Sequence, residues 1–448
     1  MKKAAIILAL LLSGGFIYNL STTTDTEKIQ NKEITPLVNE ESDLTIWMVT
    51  DIHYIAPELH DSGAAFARMK ATAAGKDLGN IDSIMQALVW EAASEKPDLL
   101  IVSGDLSFNG EYDSMVGLAE YFKQIEENGT QVSVIPGNHD IHSGWARRFE
   151  DAEMEKTKQV SPTDFRELFA EFGYDLATHQ DPESLSYVIE PKPNYPILMM
   201  DTNIYSETES SKTPTTEGEI KLETAAWLAE YFEENAAAIW VGHHPVLSHN
   251  GSDRTGHTLQ NAEDINPLLN EQGIRTLFAG HIHAQNISSD GATREIITGA
   301  LSTFPNSIGE ITLNDDGLTY KHRELAVEAW AKETKQTNPE LLAYSQTAYD
   351  IFYEDGATMA LMQMFEEQWY EEKFEADVMD FVGLLNVRYF SGMDFGEDEE
   401  LANHPGYKMI QENSKGFLKR YSTRSLEDSD LDDRNLFIPN DYLVKYRY

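Results

Sequence analysis

The sequence predicts an α/β fold followed by a helical C-terminal region, and three observations predict it. Apolar runs alternate with amphipathic stretches from Leu44 to Ile135, each run stopping at a small or polar residue. Several of these runs deliver Asp, Asn or His immediately beyond their ends. After about Val327 the apolar spacing becomes helical throughout. Strand, helix, strand, helix, strand is the order of a parallel sheet with right-handed crossovers. Open sheets of that kind collect ligands at the carboxyl ends of their strands.

Taken in order, residues 1–20 read as an export signal or an N-terminal anchor. Lys2-Lys3 is the positive start, Ala4 to Leu12 the apolar core, and Ser13-Gly14-Gly15 a small-residue patch suited to cleavage. Apolar character resumes at Phe16-Ile17-Tyr18, so the stretch approaches spanning length and a membrane tether is the alternative to a cleaved signal. Either way the expected location is outside the cell, secreted or on the outer face of its membrane. Residues 21–42 are a polar linker. Residues 43–326 follow as one α/β unit, and 327–448 as a separate helical appendage with a Tyr-rich tail.

Within the first unit, Leu44 to Thr50 is a strand ending at Asp51-Ile52-His53, and residues 54–80 are an irregular insertion. Ile81, Ile84, Leu88 and Ala92 mark one buried helix face, stopped by Pro97. Asp98 to Ser103 is a buried strand ending at Gly104-Asp105. Met115, Leu118, Phe122 and Ile125 mark a second helix, and Val132 to Pro136 a strand ending at Gly137-Asn138-His139-Asp140. Residues 141–190 read as a mostly helical, charged excursion, with Arg147 and Arg148 as solvated helix charges. Ile197 to Met200 is a further strand, followed by a helix over 224–234. Two more strand ends come at Gly242-His243-His244-Pro245 and Gly280-His281-Ile282-His283. Residues 294–325 read as a meander forming a second sheet. In the appendage, Met359, Met362, Phe365, Trp369, Val378, Phe381 and Leu385 are expected in its core.

The charge balance is extreme, with 34 basic against 76 acidic residues and a net charge of −42. Such a surface repels nucleic-acid polymers and anionic lipids and suits a saline or alkaline exterior. Cysteine is absent, which excludes disulfides, thiol nucleophiles and lipid attachment through an N-terminal cysteine.

The five strand ends offer Asp51 and His53, Asp105, Asn138 with His139, His243, and His281 with His283. Each has an ordinary reading alone, as a turn, a cap or a hydrogen-bonder. Their recurrence at successive strand ends is what points to a site. Within each of the pairs Asp51/His53 and His281/His283, one-residue spacing projects both groups to one side of an extended chain. Seven mixed imidazole and oxygen ligands exceed the needs of one ion and suit two sharing a bridge, for which Asp105 is the natural carboxylate. Nitrogen and oxygen donors without sulfur favour iron, manganese or zinc.

This series of blocks resembles the calcineurin-like metallophosphoesterases, across about residues 44–325, and most closely the class III cyclic-nucleotide phosphodiesterases and their exported bacterial relatives with a helical C-terminal domain. The resemblance implies a four-layer fold, two β-sheets flanked by helices. It implies one metal on Asp51, His53, Asp105 and His283, and a second on Asp105, Asn138, His243 and His281. His139 would be the acid or electrostatic stabiliser at the leaving oxygen, oriented by Asp140. His244 would stand behind the metals, and Asn109 would approach substrate. Two cations about 4 Å apart clamp a phosphoryl group and share a bridging hydroxide nucleophile. The expected activity is therefore hydrolysis of small phosphodiesters, cyclic nucleotides foremost. Phosphomonoesters, nucleotides or wall and lipid phosphodiesters are the alternatives, and a non-catalytic surface protein a distant third.

Overall fold

The computed structural model describes residues 35–249, 257–393, 399–427 and 431–443. The export signal expected at residues 1–20 and most of the linker lie outside these residues. Among the described residues no helix is long and apolar enough to cross a membrane.

The strands are β1 (Leu44–Val49), β2 (Leu99–Ser103), β3 (Gln131–Ile135), β4 (Arg147–Glu150), β5 (Glu153–Lys156), β6 (His179–Gln180), β7 (Tyr187–Ile189) and β8 (Ile197–Met199). They continue with β9 (Ile239–Val241), β10 (Thr276–Ala279), β11 (Asn286–Ser289), β12 (Arg294–Ile297), β13 (Ser307–Leu313), β14 (Gly317–Glu324) and β15 (Asn435–Pro439). One sheet runs β15-β14-β13-β1-β2-β3, the other β11-β12-β10-β9-β8-β7-β6, with β4-β5 a separate ribbon.

Alternation along the strands explains the layering. Ile197, Met199, Ile239, Val241 and Phe278 join one large core with Met48, Leu100 and Val134 of the first sheet. Their neighbours Leu198, Trp240 and Leu277 turn the other way, onto Leu228 and Leu269 of the helices Leu222–Glu234 and Ala262–Glu271. The outer face of the first sheet is covered by helices Ile81–Glu95 and Tyr112–Glu127, whose stripes Ile84/Leu88 and Leu118/Phe122 are buried. Two sheets between two helical layers result, each large buried side chain contributing about 1.5–3 kcal/mol. β1, β2 and β3 run parallel, as do β9 and β10. Their carboxyl ends therefore share one rim.

Expectations for two segments of the first unit are corrected. Residues 141–190 are mainly not helical: β4 carries Arg147 and Arg148, and the one α-helix is Pro162–Leu168, started by a Ser161/Asp164 capping box. The charges at Glu153 to Lys156 have no apolar helical stripe to bury, and pair instead as an exposed ribbon. The 294–325 meander is split between the sheets. β12 pairs with β10 in the second sheet, while β13 crosses over and pairs antiparallel with β1 in the first. Such long-range pairing leaves no mark in local periodicity.

The C-terminal helices Tyr344–Glu366 and Glu372–Phe390 bury Ala360, Met364, Val378, Phe381 and Leu385 against each other and against Ile410 and Leu418. Met362 and Phe365 are instead 57% and 56% exposed. Phe365 stacks on Tyr370 at 4.1 Å outside the core. Nor does this segment stand apart from the sheets. Helix Val327–Glu333 packs Val327 and Trp330 into the main core, and β15 pairs with β14 as the outermost strand of the first sheet.

Candidate metal centre

Every expected ligand lies just beyond a strand on the shared rim. The backbone there is unusual. Asp51, His53, Asp105, His281 and His283 all have positive φ, at 52°, 47°, 48°, 73° and 60°. Left-handed conformations are costly for residues with a Cβ and persist where the surroundings impose them, often at functional sites. The groups thus converge through left-handed turns, not through the extended alternation expected from their spacing. Gly137 and Gly280 permit the close approach: a Cβ on Gly137 would strike the Asp105 amide and carboxylate, and one on Gly280 the Thr50 hydroxyl.

One group of ligand atoms, from Asp51, His53, Asp105 and His283, lies within 4.8 Å of one another. Asp51 Oδ2 accepts from Thr50 Oγ1 at 2.8 Å and the His281 amide at 2.9 Å. That leaves Oδ1 buried without a hydrogen-bond donor, 3.3 Å from His283 Nε2 and 3.8 Å from His53 Nε2. Asp105 Oδ1 accepts from the His139 amide at 2.8 Å. Its Oδ2 stands 3.6 Å from His53 Nε2 and 3.5 Å from His243 Nε2, between the two expected ligand groups. On the far side, Asn138 Oδ1 is 3.1 Å from both His243 Nε2 and His281 Nδ1. His243 Nδ1 faces the Ser103 carbonyl at 2.8 Å, which can only accept, so Nδ1 carries the proton and Nε2 turns inward.

The electrostatics suit cations. Burial would raise Asp51 and Asp105, but His283 and His243 beside them hold both below the usual carboxylate range. Burial, with Lys76 nearby, keeps His53 well below the ordinary imidazole value, and burial with His243 pushes His281 down to about 3. Ionised carboxylates and neutral imidazoles are the ligand forms that metals require. Burial would lower His243 too, yet the Asp105 charge overrides it, up to about 9. The orphaned Asp51 oxygen and the facing His53 and His283 nitrogens, 3.3 Å apart, fit a metal centre.

His139 sits beside this cluster, its ring edge-on to His53 at 5.0 Å. Its Nδ1 meets the Phe108 carbonyl at 3.2 Å and Asn109 Oδ1 at 2.9 Å. A carbonyl can only accept, so Nδ1 donates and Nε2 is the unprotonated face. The orienting role expected of Asp140 therefore falls to Asn109, which is buried behind the histidine instead of facing substrate. The Asp140 carboxylate accepts from the amides of Leu106, Ser107 and Gly137 and from Ser107 Oγ, at 2.8–3.0 Å. It braces the loops after β2 and β3. His244 is buried against Thr202 Oγ1 at 2.9 Å, its ring 4.4 Å from His281. Arg147 caps the Gly144 and Ala146 carbonyls, away from the cluster.

Two further elements reach the site without a signal in sequence. Lys76, from the 54–80 insertion, is lowered by burial against the opposing effect of Asp105, Asp51 and Asp355. A cleft of about 430 Å³ opens at His281 and His283, and its other wall is made by the C-terminal helices.

Residues 44–285, more than half of the chain, match the family model of calcineurin-like phosphoesterases. Residues 326–432 match that of the C-terminal domain of cyclic nucleotide phosphodiesterase. No curated protein matches the chain. Among solved structures, the chain is similar to a dimetal phosphatase from Danio rerio, at 14% identity over 63% of this chain and 96% of that one, TM-score 0.45. It is similar also to GAP50, the anchor in the inner membrane complex of Plasmodium, at 11% identity, 63% and 85% coverage and TM-score 0.36. A third likeness is to Vps29 complexed with zinc from Entamoeba histolytica, at 12% identity, 63% and 93% coverage and TM-score 0.26.

Proposed function

This chain belongs to the calcineurin-like phosphoesterase family, and on that premise we propose that it is an exported phosphodiesterase of small phosphodiesters, cyclic nucleotides foremost. Its general activity is metal-dependent phosphoester hydrolysis. The diester reading rests on one observation: the segment matching the C-terminal domain of cyclic nucleotide phosphodiesterase supplies a wall of the cleft at His281 and His283. Export rests on the Lys2-Lys3 start and apolar Ala4 to Leu12 core. Iron and manganese are the metals favoured by the donor set, with zinc the alternative.

Asp51, His53, Asp105 and His283 would hold one ion, and Asp105, Asn138, His243 and His281 the other. When bound, the ions supply Lewis-acid charge for the phosphoryl oxygens and activate water. The chain's own residues do the rest. Asn109 and the Phe108 carbonyl fix the His139 tautomer, so that Nε2 faces the site. Taking a second proton at Nε2 while Nδ1 stays bonded to Asn109, His139 would give it to the leaving oxygen as water bonds to phosphorus and the P–O bond breaks. Lys76 adds a cation within reach of the Asp105 and Asp51 carboxylates.

The test is hydrolysis by the purified full chain with manganese, comparing bis-p-nitrophenyl phosphate, p-nitrophenyl phosphate, and 2′,3′- and 3′,5′-cyclic AMP. Diester cleavage lost in His139→Ala and Asp105→Ala is expected. Turnover confined to the monoester would move the protein to the phosphatase side of its family. Recovery of the protein only from the cytosolic fraction would overturn export.

A further inference from the structure

The helix Phe417–Glu427 presents one face to the cleft: Phe417, Arg420, Tyr421 and Arg424 all line it, together with His281 and His283 on the opposite side. Their spacing, i, i+3, i+4 and i+7, is that of a single helical stripe. The face combines a stacking surface with positive charge. Phe417 is 41% exposed and lies nearly parallel to Tyr421, with ring centroids 5.3 Å apart. Tyr421 is fixed by its hydroxyl on Asn386 Oδ1 at 2.6 Å. Deeper in, Phe352 packs edge-on to Phe390.

Charge makes this face informative. In a chain of net charge −42, an arginine on the wall of a cleft, Arg420, demands a reason. Arg420 is exposed and has no ion-pair partner among the described residues. The acid on the same wall, Asp355, lies within the electrostatic reach of Lys76, and among the described residues it makes no ion pair with Arg420. A volume of about 430 Å³ falls within the usual range for small-molecule sites, roughly 300–1,000 Å³. The charge of a scissile phosphate would already be met by the metal centre, Lys76 and His139. Arginine on the far wall is then suited to a different anionic group, and its planar fork matches phosphate.

We propose that the Phe417–Arg424 face is a subsite for a nucleotide carrying a second phosphate group, the base stacked on Phe417 and that phosphate held by Arg420. This deepens the phosphodiesterase reading and rests on it. It makes the C-terminal helices a selector among small phosphodiesters, extending them from cyclic nucleotides to diesters that bear a further terminal phosphate, with a nucleoside bisphosphate serving as the non-diester probe of the subsite.

The test is equilibrium binding to the full chain with manganese, measured by calorimetry for adenosine 3′,5′-bisphosphate and adenosine 5′-monophosphate. A charged hydrogen-bond pair predicts a bisphosphate preference of about tenfold or more. Arg420→Ala should erase the preference, Arg420→Lys should restore part of it, and Phe417→Ala should weaken both ligands alike. Equal affinities in the unaltered protein, or an undiminished preference in Arg420→Ala, would overturn the subsite. Bis-p-nitrophenyl phosphate hydrolysis, run beside it, tests the parent reading: its absence removes the phosphodiesterase while the binding comparison still judges the subsite.

Discussion

Asn109 Oδ1 accepts the Nδ1 proton of His139 at 2.9 Å, from a loop thirty residues earlier in the chain. This contact, shared with the Phe108 carbonyl, decides which imidazole nitrogen faces the metals. Asn109→Ala should lower kcat about ten- to a hundredfold, the usual cost of removing a partner that orients a functional imidazole, with KM little changed. A steady-state comparison checks it. A KM effect without a kcat effect would return Asn109 to the substrate-facing role expected from sequence.

Asp140, by contrast, acts on stability. It is fully buried and accepts four hydrogen bonds from the loops after β2 and β3. Truncation leaves buried donors unpaired, at about 1–3 kcal/mol each. Asp140→Ala should therefore destabilise the protein by about 3 kcal/mol or more, read as a fall in the urea midpoint at constant slope.

That contrast marks the limit of legibility. The strand ends were readable because each combines a local apolar run with the groups directly after it, as at Ser103-Gly104-Asp105. The partner of His139 was not, since sequence adjacency favours Asp140 while packing selects Asn109. The same holds for β13, whose partner β1 lies some 260 residues away. Lys76 sits in a segment with no pattern of its own and Arg420 on a helix whose partner the sequence does not name, and only the packing of those segments toward the cluster gives them a role. Met362 and Phe365 failed in the opposite sense: apolar residues on several helix faces do not reveal which face is covered.

Glu111 predicts a pH dependence. Burial pushes its carboxyl up to about 7, against the opposing effect of the Asn109 amide. A folded-state value above the unfolded one of 4.5 means that folding favours the proton. The associated stability is complete below the unfolded value and is lost as pH rises through about 7. At 1.36 kcal/mol per unit, the group contributes about 3 kcal/mol to the slope over that window. Denaturant midpoints from pH 4.5 to 8 should show a slope of this sign, shared with Asp140 and Glu126, whose carboxyls burial also pushes up to about 7, and Glu111→Gln should remove Glu111's part of it. A slope left unchanged by the substitution would assign it to Asp140 and Glu126.

Metal stoichiometry is the remaining prediction, and it follows from the position of Asp105 Oδ2 between His53 and His243. The unaltered chain should bind two ions. Asn138→Ala and His281→Ala should each lose one, because both belong to the group around His243. Asp105→Ala should weaken both, as only its carboxylate faces both groups. Each ion at a hundredfold its dissociation constant adds about 2.7 kcal/mol of stability, so chelation should lower Tm and abolish hydrolysis together. Elemental analysis of the three variants after dialysis separates the cases. If Asp105→Ala retained one ion at unaltered affinity, the carboxylate would serve a single metal, and the two groups of ligands would be independent sites.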